Sequence, residues 1–211
     1  MNQRNTIALI GGTGKVGKHI VKKALDNNLH VRMLVRNRDK IVFSDERITI
    51  IEGNAENKDD LRHLLQECQF VINTFGQPVK NKPLYSKITR NVISIMKELQ
   101  LKRYIGVTGA SLHVSGDKKS IKNRIVEKAF ASFYPAFIED REIELNIIRK
   151  SDVEWTVFRL PLVINSRKNG LVKVNVSDIP GSIISNYDIA SFLIQQIYDD
   201  HFIRKTPFIA N

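Results

Sequence analysis

The sequence holds a single cysteine, Cys68, and a single tryptophan in 211 residues. One thiol excludes an internal disulfide framework, and its place at the end of the amphipathic stretch KDDLRHLLQEC fits a buried, inert sulfhydryl. No apolar run approaches the roughly 20 residues that span a bilayer. The start, MNQRNTIALIGG, passes from a polar stub into an apolar segment without the zones of a secretory leader. A cytoplasmic protein that stays off the membrane is therefore expected. The five histidines, His19, His30, His63, His113 and His201, have no metal-ligand spacing, so no metal is expected. Repeats, low-complexity tracts and proline-rich linkers are missing too, and the chain reads as one domain over 1–211.

Charge is not scarce. The net charge of +11 raises nucleic acid or an anionic ligand as partner. The lysines and arginines are spread along the chain, however, with no interleaved aromatics for base stacking. A solvated basic surface is the preferred reading, and no nucleic-acid partner is expected.

Apolar, β-branched segments alternate with helical spacing. TIALI, HVRMLVR, ITIIEG, FVINTFG, RYIGVTG and WTVFRLP read as strands. GKHIVKKALDNN, KDDLRHLLQEC, YSKITRNVISIMKELQ and the stretch 119–150 read as helices. Strands this continuously apolar suit a parallel sheet covered on both faces, which makes the fold class α/β, doubly wound. SNYD reads as a capping box, with Ser185 as N-cap and Asp188 closing it. The acids of DREIELNIIRK read as helical charge pairs with neighbouring arginines.

The first strand runs into GGTGKVG, with a helix predicted from about Gly14. A glycine leaving a strand permits a tight turn, the next admits a pyrophosphate close to backbone amides, and the last lets the helix pack on the sheet. Gly12, Gly14 and Gly17 fit one spacing of this fingerprint; Gly11, Gly14 and Gly17 fit another, preferred because Gly11 directly follows the strand. With Thr13, Lys15 and Val16 they form a candidate dinucleotide-phosphate loop. At the end of the second strand stands LVRNRDK. Arg36 and Arg38 offer planar, charge-assisted contacts to a 2′-phosphate, so NADP is favoured, while the nearby Asp39 keeps NAD open.

Together GGTGKVG, LVRN, GNAENKDDL, TRNVISIMKELQLKRYIGVTGAS and ISNYDIASFL make the chain resemble the atypical short-chain dehydrogenase/reductases, NmrA-like proteins and the flavin reductase/biliverdin reductase B group in particular. The resemblance implies an NAD(P)-binding Rossmann-like domain with small C-terminal elements on the substrate side. It also implies that Asn54, with Ala55, lies near the adenine, where relatives often carry Asp. Thr74, Phe75 and Gly76 would wall the cofactor, with a plain strand-end turn as the alternative. Thr108 and Ser111, in VTGAS, would offer hydroxyls to nicotinamide or substrate, unless backbone partners satisfy them.

The Tyr-x-x-x-Lys pair of the usual dehydrogenases is missing: Tyr85, Tyr104, Tyr134, Tyr187 and Tyr198 are followed four places on by Thr89, Thr108, Ile138, Ser191 and Phe202. Leu162 stands where the resemblance to biliverdin reductase B calls for histidine. Hydride transfer from NADPH to a flavin, quinone or similar conjugated acceptor is the preferred activity, because solvent can supply its proton. A non-enzymatic NADP-binding sensor or scaffold of the NmrA-like kind is the alternative, and a sugar-nucleotide epimerase ranks lower. The expected partner is a small-molecule acceptor, and the chain is read as a monomer or homodimer. Phe130, Phe133, Tyr134 and Phe137 either stack on a planar acceptor or fill the core, and the core reading is preferred.

Overall fold

The computed structural model describes residues 5–166 and 170–211, so the first four residues of the polar stub lie outside it. The first half alternates strand and helix: β1 (Thr6–Ile10), α1 (Gly17–Asp26), β2 (His30–Val35), β3 (Ile48–Glu52), α2 (Lys58–Leu65), β4 (Phe70–Asn73) and α3 (Tyr85–Glu98). Then come β5 (Arg103–Gly109), α4 (Ile121–Phe133), α5 (Pro135–Arg149), β6 (Glu154–Leu160), β7 (Leu162–Ile164), β8 (Lys173–Asn175), β9 (Ile183–Ser185), α6 (Asn186–Gln195) and β10 (Phe208–Ala210). The main sheet has the order β3-β2-β1-β4-β5-β6-β10-β8, parallel throughout except that β8 runs against β10. β7 and β9 form a separate parallel pair.

Every residue of β1 is buried because each face of the sheet is covered. Strand alternation sends Ala8 and Ile10 to the side of Leu61, Leu64, Ile88 and Val92, whereas Ile7 and Leu9 face Ile20, Val21, Ile189 and Leu193. Asn57 caps α2, accepting from the Asp59 and Asp60 amides, and those two acids occupy the first turn, where the helix dipole favours them. Cys68 is buried, and burial pushes its thiol up to about 12, consistent with an inert sulfhydryl.

Several elements differ from the sequence expectation. The first helix begins at Gly17 rather than about Gly14, because the Gly14 amide is drawn 2.9 Å from the Gly11 carbonyl in a tight turn. The stretch 119–150 is two helices, broken at Tyr134, since Pro135 has no N–H to continue α4 and instead opens α5. β4 stops at Asn73, short of FVINTFG. Ser185 does cap α6, 2.9 Å from the Asp188 amide. The reciprocal half is missing, for the Ser185 amide donates to Asn211 Oδ1 and Asp188 accepts from the Gly170 amide.

The junction of β5, β6 and α6 is tied by Arg103, which is 4 % exposed. Its guanidinium donates to the carbonyls of Glu154, Gln196 and Asp199 and to Thr156 Oγ1. Removing it strands buried acceptors, each at roughly 1–3 kcal/mol. Arg103→Met should lower unfolding free energy by about 3 kcal/mol in urea titration; a loss below about 1 kcal/mol would mean that water replaces the guanidinium.

Candidate functional site

Strand order reverses between β1 and β4, so the loops leaving these strands diverge and open a crevice at the carboxyl end of the sheet. The crevice is narrow at its base. Gly11 has φ +86°, and a Cβ on it would lie 2.6 Å from the Thr74 carbonyl oxygen. A Cβ on Gly17 would lie 2.1 Å from the Gly11 carbonyl oxygen. The spacing that starts at Gly11 is thus the one with a steric reason at both ends. Gly12 serves packing instead, since its Cβ would strike the Met33 side chain at 2.1 Å.

Helix α1 starts without a side-chain cap and without an acid in its first turn. Among the described residues, the amides of Thr13, Lys15 and Val16 donate to no protein acceptor. Free amides at an uncapped, electropositive helix start fit the pyrophosphate of a dinucleotide. Asn186 Nδ2 holds this loop from the side, donating to the Lys15 carbonyl at 3.2 Å.

Thr74 sits across from the glycines, its amide 3.0 Å and its hydroxyl 3.1 Å from the Ile10 carbonyl. The Phe75 amide donates to Asn73 Oδ1, and Asn73 Nδ2 donates to the Tyr104 hydroxyl, both at 3.0 Å. Burial, and then the charge of Glu144, push that phenol well above its ordinary range, so it stays protonated. Gly76 has nothing within 4 Å of a would-be Cβ, so protein packing does not explain it.

Beyond β2, Arg36 is exposed and makes no ion pair among the described residues. Arg38 differs: its Nε lies 3.1 Å from Glu52 Oε2, so an incoming phosphate would compete with that carboxylate. Asn54 uses its side-chain oxygen on the Glu56 amide and its own amide on Asp60, while Ala55 is buried beneath the turn.

Next to the crevice, at the ends of β5 and β6, lies a cavity of about 610 Å³. Thr108, Ser111, Phe130, Phe137, Pro161 and Leu162 line it. None of the four aromatics read as core is buried. Phe130 and Phe137 wall the cavity and Phe133 is 78 % exposed, because α4 buries no side chain at all. The Thr108 hydroxyl is sealed from solvent without a protein partner, so the backbone explanation fails for it.

A buried ion cluster supports the loop that carries Ser111. Arg159 Nη1 lies 2.7 Å from Asp117 Oδ2, with its guanidinium stacked 3.5 Å above the Phe208 ring. Lys119 Nζ donates to the Ala110 and Leu112 carbonyls and pairs with Asp117 and Glu127. Burial alone would raise the Asp117 carboxyl, but Arg159, the Val114 amide and Lys119 outweigh it and hold the group below its ordinary value. Lys119, Glu127 and Arg141, which also line or brace the cavity, escaped the sequence reading. Arg141 and Glu144 were legible only as a helical pair, and nothing local marks that pair as facing a cavity.

The chain is similar to known proteins over most of its length. The family described as NAD(P)H-binding matches residues 11–200. This chain belongs to that family. YwnB of Bacillus subtilis is 25 % identical over 153 residues, covering 71 % of this chain and 68 % of its own. Two further curated relatives are matched over only 28 % and 33 % of their length. A short-chain dehydrogenase/reductase from Veillonella parvula, solved in complex with NADP, superposes with TM-score 0.79 at 17 % identity, over 98 % of this chain and 94 % of that one. ChuY, an anaerobilin reductase of Escherichia coli O157:H7, gives TM-score 0.80 at 15 % identity, over 98 % and 96 %. At such identities the likeness is one of fold. Among the described residues, no helix is long and apolar enough to cross a membrane.

Three outcomes follow from this geometry. Gly11→Ala should destabilise by about 2 kcal/mol and abolish dinucleotide binding, through its positive φ and its clash with Thr74. Gly76→Ala should leave the urea midpoint unchanged, and comparable losses in both would refute the steric account. Thr108→Val should be neutral or stabilising by up to about 1 kcal/mol, since it removes a sealed hydroxyl without partner; a large loss would reveal a partner in solution. The Asp117 contribution to stability is present above the unfolded value of 3.8 and lost as pH falls through the lower folded value. Asp117→Asn should therefore be less stable at neutral pH yet flatter in an acid titration of the urea midpoint, and parallel curves would sink the assignment.

Proposed function

We propose that this protein is an NADPH-dependent reductase that passes hydride to a flavin, a quinone or another planar conjugated acceptor. The cavity beside the crevice carries the reading: Phe130, Phe137, Pro161 and Leu162 offer an apolar, aromatic-walled space at the ends of β5 and β6. A ring-shaped acceptor suits such walls by stacking and apolar burial. The Tyr-x-x-x-Lys acid is missing from the chain, which argues against alcohol and ketone chemistry. An electron-poor ring needs no such acid, for it takes its proton from water once hydride has arrived.

The glycine loop would hold the pyrophosphate by its free amides, and the unpaired Arg36 would take the 2′-phosphate in preference to Arg38, which Glu52 engages. Bound NADPH supplies the hydride. The protein's share is orientation: Thr74 and Phe75 wall one side of the cofactor, and Ser111 presents a hydroxyl where the crevice meets the cavity.

Calorimetric titration with NADPH and NADH, followed by reduced-nicotinamide absorbance with menadione and riboflavin, tests the proposal. NADPH should bind at least about tenfold more tightly than NADH, the margin should vanish in Arg36→Ala, and either acceptor should accelerate oxidation. Tight NADPH binding with no oxidation would favour a ligand-binding sensor of the NmrA-like kind. Absence of dinucleotide binding would overturn both readings.

A further inference from the structure

The ionisable side chains that line the cavity are Lys122, Glu127 and Arg141. Glu127 is engaged by Lys119 and lies 3.3 Å from His113 Nδ1. Lys122 is exposed and has no ion pair among the described residues. Arg141 is 7 % exposed and pairs through Nη1 with Glu144 Oε2 at 2.6 Å. Glu144 in turn accepts from the Thr89 hydroxyl at 2.8 Å. Glu127 and Glu144 are thus each met by a cation among the described residues, and Asp178 is taken up by Asn123 and backbone amides.

Arg141 is also under-used. A guanidinium has five N–H donors, and the bond to Glu144 is the one that Arg141 makes among the described residues. Its Nε is sealed from solvent without an acceptor. Besides that one bond, the side chain is held by stacking, 3.4 Å above the Tyr85 ring and 5.6 Å from the Phe137 ring. Those contacts fix the plane of the guanidinium, and among the described residues its Nη2 is neither bonded nor sealed, so the Nη end is left to accept a ligand. Burying a charged donor without an acceptor is costly, and a planar anion is the ligand that matches such an edge.

We propose that the acceptor carries a carboxylate, that Arg141 selects it by a forked, charge-assisted contact, and that Lys122 adds a second, solvent-exposed charge. This rests on the reductase reading of the same cavity and adds to it the chemical class of the substrate. Phe137, which packs on Arg141, also lines the cavity, so one wall sorts shape and charge together.

The test uses 2-(2-carboxyethyl)-1,4-naphthoquinone and its methyl ester, which share a ring and differ by one charge. With NADPH, the acid should show a KM about tenfold below the ester at similar kcat. In Arg141→Met/Glu144→Gln, which removes the pair together, the two KM values should converge while turnover of the ester persists. If that variant fails to fold, Arg141→Lys decides, since it keeps the charge beside Glu144 and loses the fork. Lys122→Gln should narrow the preference about threefold. Equal KM values for acid and ester, or a preference that survives in a folded Arg141 variant, would overturn the proposal. If neither quinone is reduced, the reductase reading fails by itself. Calorimetry of both quinones on the NADP+-loaded protein then judges Arg141 separately: tighter binding of the acid supports the anion site, and equal binding refutes it.

Discussion

The site depends on one close approach, where the carbonyl of Gly11 lies so near α1 that residue 17 has no room for a Cβ. Two consequences follow from that contact. The helix start is pressed against the end of β1, the amides of Thr13, Lys15 and Val16 just ahead of it meet no protein acceptor among the described residues, and the loop after β4 closes in until Thr74 touches the same glycine. A cluster of amides without protein acceptors among the described residues is therefore produced by packing of backbone on backbone. Side chains contribute little to it, and the uncapped start of α1 is the local cost of keeping the amides free.

From this point a line of buried polar groups crosses beneath the sheet ends. The Phe75 amide leads to Asn73, Asn73 to Tyr104, and Glu144 links Thr89 to Arg141. The loop beside the glycines and the wall of the cavity thus share one hydrogen-bonded interior. On the other side, Asp117, Lys119 and Arg159 fix the loop of Ala110 and Leu112 by charge. The loop beside the glycines and the cavity are in this way referenced to the same two strands, β4 and β5.

How much of this was legible in the sequence follows from the range of each signal. The six long strands and the glycine loop are local patterns, and the apolar runs of TIALI and RYIGVTG declare burial on both faces without further context. The three-residue strands β7 to β10 were not legible, because a segment that short has no period and exists only through its partner. The break at Tyr134 was written in Pro135, yet helical spacing on both sides masked it. Phe130 and Phe137 were misread as core, since an aromatic at helical spacing looks the same whether it meets a sheet or an opening. Arg141 shows the same limit: its pairing was visible within the helix, but its unspent donors appear only when α5 is set against α3.

Helix α4 has thirteen residues and buries none of them, with Ile121, Ile125 and Phe133 all turned to solvent. The free energy of the fold is held elsewhere, so this helix belongs to the cheapest part of the structure to displace. The width of the cavity is then governed by the elasticity of one wall, and a firm recess at the Arg141 end faces a compliant side at Phe130.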